Sequence, residues 1–192
     1  MNESKSNSLS DSLHGPFLAL IAAGAYFIAF KINQHLGFWV VYAQGINLIY
    51  LPAGVKNISI LIARGWGAFG IFSALYLLAL EFWSTAPAWQ ITAYCAVSTL
   101  SSLFAITVAL RIFKISSDLT NLRLIHLPLI DLFTSVFHGL VANVFYFVAG
   151  IKNEILICDV VAMMVGDFLG NFIMMMTLFI AIKVFELIDS RR

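Results

Sequence analysis

The chain alternates long apolar runs with short polar breaks, and the runs have the length of membrane crossings. A helix needs about 20 apolar residues to pass through the hydrocarbon core of a bilayer. The pattern predicts spans over Pro16–Asn33, Phe38–Ala63, Trp66–Trp83, Trp89–Phe113, Leu124–Ala149 and Ile155–Leu187. Between them lie the turn "STAPAW" and the polar connector "KISSDLTNLR" at Lys114–Arg123. The expected architecture is therefore all-α, a polytopic transmembrane helix bundle of about six spans. The second run carries "LPAGVKN" at Leu51–Asn57. Pro52 lacks an amide proton and Gly54 is permissive, so span two is expected to break at Pro52–Gly54, either as a kink or as a re-entrant turn.

The opening "MNESKSNSLSDSLHG" is polar and Ser-rich, which predicts a flexible tail over 1–15. The apolar run from Pro16 continues into further membrane without a cleavage pattern, so an uncleaved N-terminus is expected. Residues 16–188 then form one transmembrane domain, and 189–192 a short C-terminus. Lys5, Arg64, Arg111, Lys114, Arg123, Lys183, Arg191 and Arg192 fall on one side if six spans alternate, with Lys31 and Lys152 on the other. Cytoplasmic loops carry the excess of Lys and Arg, so both termini are expected in the cytoplasm. Trp39, Trp83 and Trp89 would mark the outer interface and Trp66 the inner one.

Composition strengthens this picture. Of the 192 residues, 61% are hydrophobic and 11% charged, with a mean hydropathy of +0.93. A soluble domain of this size is about 45–50% apolar and about 25% charged. The partner implied first is the lipid bilayer. A net charge of +1 offers no field to attract nucleic acid. Cys95 and Cys158 sit in apolar runs without metal-ligand spacing and read as small buried hydrophobes, so neither metal nor cofactor is expected. HExxH, GxSxG, CxxC and phosphate-binding glycine loops are absent from the sequence, and the chain is not expected to be an enzyme.

Ionisable groups within the spans are few, and an intramembrane charge normally faces the bundle interior or water. Lys56, Asp131, His138 and Asp167 are the candidates, with Asn57 and Asn171 beside them. Asp131, Ser135 and His138 share one face of span five; Asp167 and Asn171 share a face of span six, continued by Met163 and Met174. Gln44 and Asn47 share a face if span two is helical. Depth counted at the helical rise puts Asp131 about 10 Å and His138 about 21 Å from the cytoplasmic start of span five. Asp167 comes about 18 Å below the outer face. Lys56 matches Asp131 best in depth, so a Lys56–Asp131 or Lys56–Asp167 pair is expected. Gly166 and Gly170 form a GxxxG, which predicts close approach of another helix.

"LPAGV" at Leu51–Val55, followed by "RGWGA" at Arg64–Ala68, resembles the second-span region of membrane-associated sensor domains of the MASE type. "VGDFLG" at Val165–Gly170 resembles their final-span Gly-Asp-x-x-Gly. Vitamin-uptake-like sensor domains and the substrate-binding subunits of energy-coupling-factor transporters are similar in size and hydropathy. The resemblance covers about Pro16–Leu187 and marks Pro52, Gly54, Gly166, Asp167 and Gly170. Leu51 departs from it, standing where the sensor pattern has Trp, and no kinase or cyclase output domain is expected on this chain. It implies a bacterial inner-membrane sensory or solute-binding module that acts through a partner protein, in the membrane or the cytoplasm, and takes a small-molecule ligand. Two other readings stand beside it: a small-solute transporter or transporter substrate-binding subunit, and a structural or assembly subunit of a larger membrane complex.

Overall fold

Helix boundaries fall where proline or a left-handed residue forces them. The computed structural model describes residues 3–37, 41–43, 46–116 and 118–189, with side chains described for 14–181 and 188 within those ranges. Among the described residues five helices form: α1 (Glu3–His35), α2 (Leu51–Phe82), α3 (Ala88–Ile112), α4 (His126–Val148) and α5 (Ile157–Asp189). Each contains a stretch long and apolar enough to cross a membrane; in α1 it is His14–His35 and in α5 it is Ile157–Ala181. Pro52 lies in the first turn of α2, where its missing N–H breaks no helical bond. Pro87 caps α3 in an extended conformation. α4 ends in a Schellman turn: Gly150 is left-handed at φ 69°, and the Ile151 N–H donates to the Tyr146 carbonyl at 2.9 Å.

Span two differs from expectation. Among its described residues only 51–63 are helical. Val41–Ala43 (β1) pairs antiparallel with Ile46–Asn47 (β2), and the chain then runs non-helically through Tyr50 into α2. Trp39 and Gln44 lie outside the described residues, and Asn47 is in a strand, so the predicted Gln44–Asn47 helical face is not formed. Pro52–Gly54 begins a helix instead of interrupting one. The interruption comes at Arg64, with φ 50° and ψ −122°. Three residues later the backbone of Gly67 presses on that of Ser59, where a Cβ would overlap the Ser59 carbonyl oxygen. In a straight helix these residues would lie about 12 Å apart. The two arms of α2, 51–63 and 65–82, therefore fold back on each other, and among the described residues the helices of spanning length number five against about six expected.

Side-chain pairs fix the directions. Gly70 abuts Ala19, and the Lys31 ammonium pairs with Glu81 at 3.1 Å, so the second arm of α2 runs parallel to α1. Gln90 donates to the Ala149 carbonyl, Phe113 stacks on His126, and Lys152 pairs with Asp159. We call the face where His14, Arg64, Ile112 and His126 lie the near face. The other, with His35, Phe82, Ala88, Val148 and Ile157, is the far face. One apolar cluster joins α1, α2 and α3 around Tyr26, Ile71 and Leu78. A second fills the near half around Ile60, Ile106 and Ile130, and a third the far half around Ile46, Ala142 and Tyr146. Phe17, Leu20, Ile28, Leu77, Leu100 and Phe104 point outward, as a lipid-facing surface requires. Cys95 is buried, whereas Cys158 is exposed at the far face, contrary to expectation.

Candidate functional site

The polar residues of the spans do not share one pocket. They fall into two clusters at different depths. The first lies at mid-membrane: Ser98 is ten residues into α3, Asp167 ten residues into α5, and His138 ten residues before the end of α4. Each is about 15 Å from the far face, half of a hydrocarbon core about 30 Å thick. His138 Nδ1 meets Asp167 Oδ2 at 2.6 Å, and His138 Nε2 meets Ser98 Oγ at 3.2 Å. The Lys56 Nζ lies 3.4 Å from the same Ser98 oxygen.

Hydrogen-bonding capacity fixes the direction of this chain. Lys56 can only donate, so Ser98 Oγ accepts from it; the Asp167 carboxylate can only accept, so on a neutral ring Nε2 is left to accept the Ser98 hydrogen. Nδ1 of the ring then carries a proton and donates to the Asp167 carboxylate. All four groups are buried, with Lys56 only 2% exposed. A Lys56 ion pair with Asp131 or Asp167 was expected; among the described residues neither is formed, because His138 occupies Asp167 and Ser98 receives the ammonium. Depth counting gives height in the bilayer but not the side of a helix on which a residue points.

Above this chain a cavity of about 340 Å³ extends toward the far face. Tyr50, Trp83, Tyr94 and Tyr146 wall it, Phe30 and Phe82 border it toward the far face, and Ser98, His138 and Asp167 line its mid-membrane end. The Trp83 and Tyr94 rings are 4.6 Å apart, and Tyr94 stacks on Tyr146 with planes 16° apart. The Tyr26 and Tyr50 hydroxyls are hydrogen-bonded at 3.0 Å, which holds Tyr50 at the wall. Of these aromatics Trp83 alone was named from the sequence, and as an interface marker; Ser98 was not named. The available signal was the run "STLSS" at Ser98–Ser102, in which Ser98, Thr99, Ser101 and Ser102 are all buried hydroxyls in one apolar helix.

The glycine pair positions Asp167. A Cβ on Gly166 would overlap the Asn47 carbonyl, and one on Gly170 would overlap that of Tyr50. The Tyr50 N–H donates to the Gly166 carbonyl at 3.0 Å. What approaches the GxxxG is thus the non-helical segment 47–50, not the expected second helix. Gly54 completes the contact, its Cα face lying against Met174. The "LPAGV" and "VGDFLG" motifs meet at this seam, and the non-helical segment that α5 holds there supplies Asn47 and Tyr50 to the cavity.

The second cluster lies nearer the other face. Asp131 Oδ1 accepts from Ser135 at 3.2 Å and from the Asn171 amide. Asn57 donates to Thr134 Oγ1 at 2.8 Å, and Thr134 donates to the Asp131 carbonyl. Of the residues expected to line one site, Lys56, His138 and Asp167 belong to the first cluster, and Asn57, Asp131 and Asn171 to the second. Among the described residues no group of three His, Cys, Asp or Glu side chains has the arrangement of a metal site. No protein-family model, curated protein or solved structure matches this chain, so the site's own geometry carries the functional argument.

Proposed function

We propose that the chain is a membrane-embedded solute-binding module of sensory type, which takes a small ring-containing solute into the aromatic cavity and acts through a partner protein. The carrying observation is the cavity itself: six aromatic residues above a hydrogen-bonded polar floor at mid-membrane. Its volume of about 340 Å³ falls in the range of small-molecule sites, which are mostly apolar with a few convergent polar groups. Ring faces would stack on Trp83, Tyr94 or Tyr146, and a polar edge would reach Ser98, His138 or Asp167.

In this reading the two arms of α2 count as separate passes, giving six. The near face then carries Arg64, Arg111, Lys114 and Arg123, whereas Lys31 and Lys152 at the far face are each paired with an acid. The excess of cations supports reading the near face and both termini as cytoplasmic, and we take the membrane to be a cell inner membrane. The cavity faces outward. Bound solute would draw the segment 47–50, α4 and α5 together, and the partner would read the resulting shift in population.

The test is thermal unfolding of the purified protein with benzamide, nicotinamide, indole and adenine as probes. At least one is expected to raise the unfolding midpoint in the wild type but not in Asp167→Asn or Trp83→Ala. Stabilisation by none, or stabilisation unchanged in both variants, would reduce the cavity to a packing feature. Uptake of the stabilising probe into vesicles holding this chain alone would reassign the same site to transport. A second reading is favoured by bond order alone, since Ser98, His138 and Asp167 are linked as in a nucleophilic triad. Ser98 is mid-helix, where backbone N–H groups are engaged in the helix and none remains for an oxyanion. Covalent labelling of Ser98 by a fluorophosphonate would support hydrolysis; the binding reading expects no labelling.

A further inference from the structure

A second cavity, of about 270 Å³, lies among the first arm of α2, the connector before α4, α4 itself and α5. Leu61, Leu127, Met175 and Leu178 are among its apolar walls, and Asn57, Asp131 and Asn171 are the polar residues on it. Each of these three keeps one buried oxygen without a hydrogen-bond partner: Asn57 Oδ1, Asp131 Oδ2 and Asn171 Oδ1. Their remaining polar groups are already engaged with Thr134, Ser135 and one another. Asp131 is 4% exposed and Asn171 2%, so bulk water does not solvate them. Among the described residues no Lys or Arg forms an ion pair with Asp131.

Three unmet acceptors, one of them a carboxylate oxygen without a counter-ion, ask for a cation rich in N–H donors. The greasy walls ask for a hydrocarbon chain. A primary alkylammonium supplies both. Its three N–H donors match the three oxygens in number and its charge answers Asp131. A bare metal cation would use the acceptors and leave the apolar sleeve unexplained. Asp131 is five residues into α4, about 8 Å from the near face. Ile62, Leu124 and Phe179 at the rim are exposed, so an amphipath reaches the site from the membrane. We propose that this cavity binds a single-chain primary amine, with its ammonium on Asp131, Asn57 and Asn171 and its chain along Leu61, Met175 and Leu178.

The experiment is thermal unfolding of the full chain in nanodiscs with four probes: dodecylamine, dodecyltrimethylammonium, dodecanol and sodium chloride. Dodecylamine is expected to raise the midpoint at concentrations at least about tenfold below those of the other three, the worth of one charge-assisted hydrogen bond. That advantage disappears in Asp131→Asn. Equal potency of dodecylamine and dodecyltrimethylammonium would overturn the proposal, because the second carries the charge and chain without N–H donors. An Asp131-dependent shift with sodium chloride would also overturn it, in favour of a metal cation. Met175→Trp fills the sleeve without touching the acceptors and is expected to abolish the dodecylamine shift. If Asp131→Asn does not fold, persistence of the shift in Met175→Trp overturns the proposal by itself.

Discussion

Gly166 and Gly170 measure what one methyl group decides in this fold. At either position a Cβ would strike backbone carbonyl oxygen of the 47–50 segment, whereas a Cβ on Gly24 meets nothing within 4 Å. Overpacking of this kind costs about 1–3 kcal/mol, and relief requires the segment to move. Replacing an open helical glycine by alanine gains about 0.5–1 kcal/mol through backbone entropy. Gly166→Ala and Gly170→Ala should therefore lower the unfolding midpoint, while Gly24→Ala leaves it unchanged or raises it. Equal effects at all three positions would show that helix propensity, not close approach, governs the site. The sequence made the pair visible as a close-approach motif without telling what approaches, since glycine spacing specifies room and not its occupant. Asp167 and His138 were legible for a related reason: an ionisable group in an apolar span needs a polar neighbour wherever it points. Ser98 and the four wall aromatics gave no such signal, because hydroxyls can bond their own helix and rings suit lipid or core equally.

The two arms of α2 show which elements periodicity resolves. The predicted spans two and three end at Ala63 and begin at Trp66, and the structure places the reversal between them at Arg64. Polar punctuation inside an apolar stretch made that boundary readable. Within 38–50 the punctuation is limited to Gln44-Gly45 and Asn47, which suit a kinked helix and a paired hairpin equally in an otherwise apolar run, so the strands at Val41–Ala43 and Ile46–Asn47 were not readable. The reversal itself is conformationally demanding. At φ 50° and ψ −122°, Arg64 occupies a region that glycine tolerates and side-chain-bearing residues adopt at a cost of about 1–3 kcal/mol. Comparing Arg64→Gly with Arg64→Val isolates that cost, because both remove the guanidinium. The valine variant should be less stable by about 1–3 kcal/mol. Equal stabilities in a denaturant titration would mean that the turn relaxes and that the reversal is not rigidly imposed.

At the scale of the molecule, the number of helices and the number of crossings need not agree, and parity separates them. A straight α2 would make five crossings and put the two ends of the chain on opposite sides of the membrane. A folded α2 makes six and returns them to the same side, with Gly65 and Arg123 together at the near face. Both positions are exposed, and Gly65 has open space for a side chain. Cys158 is exposed at the far face and Cys95 is buried, so the native chain already carries one far-face reporter. In intact cells, a membrane-impermeant maleimide should label Cys158 and an introduced Ser84→Cys. With Cys158 replaced by serine, Gly65→Cys and Arg123→Cys should react only after the membrane is opened. A Gly65→Cys that stays unreactive even in opened membranes, where Arg123→Cys reacts, would require a straight α2 with Gly65 about 21 Å along it and near mid-membrane, and would break the seam that brings segment 47–50 against α5. The aromatic cavity depends on that seam, because Tyr50 reaches it only from a chain that turns back at Arg64. The topology experiment is thus also a test of the binding site, made without knowing the solute.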